Sequence, residues 1–356
     1  MKAFFLQHRK LIIVLLMLIV LNFLLFMVIR NELLVEKYYA QSAYRVISYI
    51  QRTFSHRFPF SFGDIFYFVA GVWLLVKMIL FFKNFALKNV VPAILKLIAF
   101  LLFFNFLMNV LWGINYDRPQ VSSIFGLGDT KYDDKELLTI TALLANNVNL
   151  YKDRSAGTTY STRELFTACT NAYNTAGKTL PEMQVPAISL KSSMWGWLGN
   201  YAGFSGYYNP FTGEAQVNTR IPAPLQPATT LHEIAHQAGF ARENEANFIG
   251  FLAALKSNND YLKYSVYLDL YLYANRILFQ SDSTTARAIT KTLTPAVTND
   301  IRELRKFYER YKNPFEPIIS RGYDFFLKSN NQPAGIKSYQ NVTALLMAWY
   351  RKNGTI

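Results

Sequence analysis

The sequence predicts a mainly α protein in which three membrane-spanning helices precede a largely helical domain with a small strand-bearing region. Three observations carry this reading. The 356 residues are 51% hydrophobic and 16% aromatic, and the apolar content is piled into the first third of the chain. Apolar residues then recur with helical spacing from about residue 135 onward. One segment, "GYYNPFTGEAQVNTRI" (206–221), instead alternates with period two.

The first span is "LIIVLLMLIVLNFLLFMVI" (11–29), which has no charge and is long enough to cross a bilayer as a helix. The preceding "MKAFFLQHRK" is basic in the manner of a signal peptide, but the run is too long for an h-region and no small-residue cleavage site follows. A second run, 65–82, is interrupted by Lys77, which can snorkel, and a third, 90–112, carries Lys96 near its start. Lys2, Arg9 and Lys10 before the first span, with Lys83 and Lys88 between the second and third, orient these ends to the cytoplasm. The loop between spans one and two and everything after span three then lie outside, although that loop also holds Arg30, Lys37, Arg45, Arg52 and Arg57. The loop reads either as a segment lying on the membrane surface or as a lid on the following domain. The net charge of +14 comes with no nucleic-acid motif, so anionic lipid is its expected counterpart and nucleic acid is not an expected partner. The single cysteine, Cys169, rules out an internal disulfide framework.

Residues 1–115 therefore form a membrane anchor, 116–134 a turn-rich linker, and 135–356 a folded domain. Within that domain, Ser161 and Glu164 have capping-box spacing at a helix start. The aromatic stretch "YLKYSVYLDLYLYANRILF" reads as packing and "DIRELRKFYERYK" as a solvated helix. Glu214, Gln216 and Asn218 alternate with Ala215 and Val217, which predicts a half-exposed strand after a turn at "NPFTG". Pro222, Pro224 and Pro227 separate it from the next helix.

That helix carries "LHEIAHQAGFARENEANF" (231–248). His232 and His236, four apart, project to one side of a helix and can present two imidazoles to one metal ion. Glu233 stands beside the first histidine, where it can act as general base on a metal-bound water; this is the residue pattern of a zinc hydrolase. Gly239 is placed to end the helix. A catalytic zinc needs a third protein ligand. The other histidines, His8 and His56, lie at the membrane end of the chain, so an acidic residue is the economical choice, and Glu243 and Glu245 both follow the Gly239 turn. They point about 200° apart on a helix of 3.6 residues per turn, so one helix rarely aims both at one ion.

"HEIAH" followed by "RENEAN" resembles the zincin metallopeptidases of the glutamate-ligand type, including the membrane-bound prenyl-protein peptidases and heat-shock membrane proteases. In those families the third ligand is a Glu followed four residues later by an Asp that orients the first histidine. The resemblance thus implies Glu243 as ligand and Asn247 behind His232, with Asn in place of Asp and a shorter spacing from the second histidine. The chain as a whole is similar to an uncharacterised bacterial family of multi-pass membrane proteins with a zincin-like domain, through "PFSFGD" (59–64), "WGINYDRP" (112–119), "PFTGEAQVN" (210–218), "HEIAHQAGFARENEANF" (232–248) and "FLKSNNQPAGIKSY" (326–339).

What the resemblance implies is a zincin-like α+β metallopeptidase domain with a small edge-strand sheet, anchored in the bacterial cytoplasmic membrane with the domain outside. Zn2+ held by His232, His236 and Glu243 would serve hydrolysis of a peptide or protein substrate, with Glu233 as base. In zincins a strand before the motif helix borders the cleft, so Glu214, Ala215, Gln216, Val217 and Asn218 are the expected substrate edge. Tyr339 is a candidate oxyanion donor, as is Tyr207 or Tyr208. The alternatives are a zinc-bearing but catalytically silent sensor or scaffold, and an interaction module in which the motif is incidental. The motif's distance in sequence from the third span predicts a site in water, away from the bilayer.

Overall fold

The computed structural model describes residues 6–83 and 85–356; Lys2, one of the charges used for orientation, lies outside them. Three helices are long and apolar enough to cross a membrane: α1 (Arg9–Ile29), α3 (Phe62–Lys83) and α4 (Leu87–Leu111). α1 and α4 pack through Leu15, Leu18 and Ala99, and the Asn105 amide donates to Asn22 Oδ1 at 2.8 Å. Such a bond satisfies polar groups that hydrocarbon cannot.

The loop between α1 and α3 is folded. Residues 32–43 are helical, with wide π turns over Val35–Ala43, and run into α2 (Tyr44–His56). This segment covers the domain, with Tyr44 and Arg52 almost fully buried, so the lid arrangement is the one found. The expected linker 116–134 also needs correction. Tyr116, Arg118 and Val121 are buried, and Val121 and Leu127 belong to the main core, so its first half is part of the fold. Turn residues marked its shape, but exposure is decided by what packs against it.

Besides a single turn at Val121–Ile124 and short 3-10 turns, the remaining described helices are α5 (Asp134–Arg154), α6 (Thr162–Thr179), α7 (Gly196–Ala202), α8 (Gln226–Gln237), α9 (Glu243–Lys256), α10 (Asp260–Ser281), α11 (Ser283–Lys291), α12 (Pro295–Tyr311), α13 (Glu316–Ser329) and α14 (Val342–Asn353). α5 and α6 each start with a capping box, Asp133 with Glu136 and Ser161 with Glu164. α10 lies along α5, where Tyr264, Tyr267 and Tyr271 are buried and Tyr267 stacks on Tyr151 at 5.3 Å. α12 is charged outward but buries Val297, Ile301 and Leu304.

Three strands form one small sheet in the order β1 (Leu190–Ser192), β3 (Ala215–Val217), β2 (Gly206–Tyr208). β1 is parallel to β3 and β2 antiparallel to it. The strand expected at a free edge, 214–218, is therefore the central one, paired on both sides. All of it is buried: Ala215 and Val217 against the core, and Glu214, Gln216 and Asn218 among other polar groups. Period-two alternation distinguishes the two faces of a strand, but both faces are covered here.

Candidate metal centre

α8 begins one residue ahead of the last of the three prolines, so Pro227 stands in its first turn instead of before it, and the helix ends in a Schellman turn. The Gly239 amide donates to His236 O at 3.0 Å and the Phe240 amide to Ala235 O at 3.1 Å, with Gly239 at φ +84°. The chain then reverses into α9, so Glu243, its first residue, faces back on α8.

His232 Nε2 and His236 Nε2 stand 3.0 Å apart. Glu243 Oε2 is 3.1 Å from the first and 3.6 Å from the second. The far ring nitrogens are committed elsewhere: His236 Nδ1 contacts Phe240 O at 2.7 Å and His232 Nδ1 contacts Asn247 Oδ1 at 2.6 Å. Those acceptors place the protons on Nδ1, which leaves each Nε2 with a lone pair aimed at the same point. Three lone-pair atoms this close repel one another unless a cation lies among them. Ligand atoms about 2.0 Å from a tetrahedral ion are roughly 3.3 Å from each other, which this spacing matches. Glu243 Oε2 has no hydrogen-bond partner, as expected of an atom kept for an ion. The donor set fits a zinc-like cation.

The neighbours have distinct places. Glu233 is buried, its Oε2 unpartnered, and burial pushes it to about 8 despite the lowering influence of His232. Glu245 points away, accepting the Val121 amide at 3.0 Å and pairing with Arg242 at 3.0 Å. The structure thus brings Glu243, not Glu245, to the histidines, with Asn247 behind His232. Tyr339 stacks on His232 with ring centroids 6.1 Å apart. Its hydroxyl shares a hydrogen bond with Tyr323 at 3.2 Å, and Tyr323 donates to Glu243 Oε1 at 2.8 Å. Tyr208 is buried against Tyr44, and Tyr207 donates to Asp64, so neither hydroxyl is turned to the cluster.

The strand beside Glu233 is β2. A Cβ on Gly206 would lie 2.6 Å from Glu233 Oε1, so only glycine fits there. The amides of Asn218 and Asn209 donate to Ser205 O and Glu214 O, and this register leaves the amides and carbonyls of Gly206 and Tyr208 facing away from β3. Glu214, expected at a substrate edge, instead accepts the Phe62 and Gly63 amides at 3.1 and 2.5 Å and so caps the start of α3.

Residues from the first third of the chain hold the C-terminal end of α8. Trp112, directly after α4, donates its indole N–H to His236 O at 3.2 Å. Tyr44 donates to His236 O and Gln237 O, Arg52 to Gln237 O at 3.0 Å, and Arg118 to Gly239 O at 2.8 Å while pairing with Glu36 at 2.7 Å. These cations and donors satisfy the carbonyls that a helix leaves open at its end. His236 thus sits against the residue that ends α4, close in space to the third apolar helix although far from it in sequence. None of these capping residues, nor Tyr323, nor Gln332 which receives the Glu243 amide at 3.1 Å, was singled out from sequence. Trp112, Arg118 and Gln332 do lie inside quoted stretches and Arg52 is among the loop charges, whereas nothing marks Tyr323 among 23 tyrosines.

A family described as "Protein of unknown function (DUF3810)" matches residues 39–347, and the chain belongs to it. Comparison with curated proteins and with solved structures gives no match.

Proposed function

We propose that this family member is a membrane-anchored zinc metallopeptidase of zincin type, with its catalytic domain on the outer side of the bacterial cytoplasmic membrane. The convergence of His232 Nε2, His236 Nε2 and Glu243 Oε2 on one point, beside a buried and unpartnered Glu233, carries the reading. A zinc ion held by these three would supply Lewis acidity toward a carbonyl and toward water.

The chain's own groups do the rest. Asn247 and the Phe240 carbonyl hold the two rings in the tautomer that ligation needs. Tyr323 steadies Glu243 through its second oxygen. Glu233, buried beside the cluster with its Oε2 unpartnered, would as the carboxylate take a proton from water and return it to a leaving amine. The outward amides and carbonyls of Gly206 and Tyr208 give an extended peptide a strand to pair with, in the position first assigned to β3. Tyr339, stacked on His232, would donate to a developing oxyanion by turning its hydroxyl away from Tyr323.

Zinc content and cleavage of a quenched fluorescent peptide, both measured on the full chain in nanodiscs, test this. Wild type should hold about one zinc and cleave, while His236→Ala and Glu243→Ala lose the metal. Glu233→Gln should keep the metal and lose a factor of about 10²–10⁴ in rate. Folded wild-type protein without zinc sinks the reading; zinc without cleavage leaves a silent metal site.

A further inference from the structure

Two helices outside the spans carry apolar faces that the described residues leave largely exposed. On α13 the face is Phe315, Ile318, Ile319, Phe325 and Phe326, with Gly322 in its middle and nothing within 4 Å of where its Cβ would be. Phe315, Ile318 and Phe325 expose 68%, 65% and 73% of their surface. The spacing is that of one helical stripe. On α7 and the turn before it, Met194, Trp197, Leu198 and Tyr201 repeat at three and four residues and are each close to half exposed. The two stripes are neighbours, since the Asn313 amide donates to Tyr201 O at 2.7 Å just ahead of α13. Contiguous apolar area of this kind marks an interface.

The covering phase is named by what adjoins each stripe. Trp195, inside the α7 stripe's sequence, stacks on Phe68 at 5.7 Å. Phe68 lies six residues into the α3 span, about 9 Å along a helix rising 1.5 Å per residue. Asp64, in the first turn of that span, accepts the Met194 amide at 2.6 Å and so fixes the stripe to it. Phe326 meets Tyr116 at 6.4 Å, and Tyr116 packs on Trp112 at the end of α4. Both stripes therefore continue the apolar surface of the spans at the level where these leave the bilayer. Exposed Lys312 and Arg321 flank the α13 stripe, as suits anionic headgroups, while Lys328 pairs with Asp324 at 2.6 Å.

We infer that the stripes of α7 and α13 are seated in the interfacial layer of the bilayer, so that the domain lies on the membrane and is not held off it by the spans. Their mixture of aromatic and aliphatic residues, edged by cations, is that of a monotopic membrane element. The inference stands on geometry independent of any metal, so it survives or fails apart from the peptidase reading.

The test places nitroxide labels, one at a time, on cysteines at Trp197, Leu198, Ile318 and Phe325 of the full chain. Lys306 and Glu303, exposed on α12, serve as aqueous references. All are surface positions, and the native Cys169 is fully buried and stays unlabelled. In nanodiscs of phosphatidylcholine and phosphatidylglycerol, power saturation by oxygen and by a water-soluble nickel chelate reads the depth of each label. The expected result is a several-fold excess of oxygen over chelate accessibility at the stripe positions and the reverse at the references. Chelate accessibility equal to the references overturns the inference. So does spin–spin broadening at the stripes that vanishes on dilution with unlabelled protein, which would seat a second copy there.

Discussion

Glu245 accepts the Val121 amide and pairs with Arg242, whereas Glu243, two residues earlier, leaves Oε2 free beside the histidines. Glu245→Ala should keep zinc and lower stability by about 1–3 kcal/mol through the stranded Val121 donor, measured by thermal unfolding beside zinc content. Loss of zinc in that variant would reverse the two roles. Asp117 offers a separate test by pH. Burial, partly offset by Arg242 and Asn331, raises its carboxyl from 3.8 to about 6. A raised carboxyl favours the folded state below the unfolded value of 3.8 and loses that contribution as pH climbs through about 6. Asp117→Asn should thus gain in unfolding midpoint relative to wild type between pH 4 and 7, most of it by pH 6.5; a constant gap across that range counts against the shift.

At the scale of elements, α8 is fixed at both ends by different parts of the chain. Its last carbonyls receive Tyr44, Arg52, Trp112 and Arg118, and its Schellman turn leaves no room at Gly239, where a Cβ would meet Asn115 and Tyr44 at 3.0 Å. Along its other side β2 presses Gly206 against Glu233. Gly206→Ala should displace that carboxylate while sparing the metal ligands, so zinc stays near one per chain and peptide cleavage falls at least tenfold. Unchanged cleavage would mean that Glu233 has room to move or is not the base. The capping boxes of α5 and α6 act locally and have no such reach into the site.

For the whole molecule, the spans and the domain are one packed unit. Leu25, Ile29 and Met108 of the spans join Val35, Tyr44, Trp112, Tyr208 and Ala241 in a single apolar cluster. Fully burying one such side chain is worth about 1.5–3 kcal/mol, and several are uncovered if residues before Asp117 are removed. A fragment from Asp117 to the end should therefore unfold well below the full chain or aggregate, as judged by circular dichroism and light scattering. A monomeric fragment with the full chain's midpoint would restore the independent domain expected from the turn-rich stretch at 116–134.

The sequence by itself determined the features that depend on near neighbours along the chain. Span length and apolarity, the capping box at Ser161, the helix of His232 and His236 with its glycine stop, and the buried tyrosines of α10 all follow from periodicity and backbone preference. Glu243 over Glu245 was reachable only through the companion residue Asn247 and the resemblance that gives it meaning. The tertiary structure alone decided which edge of the sheet is free, because strand order depends on pairing between segments that alternation does not rank. It also decided that Glu214 caps the start of α3 and that Tyr323 holds the Glu243 carboxylate, since each contact joins residues many positions apart. The nearness of the site to the end of α4 has the same origin. Trp112 and His236 are separated by more than a hundred residues of chain, and that separation carries no information about the 3.2 Å between them.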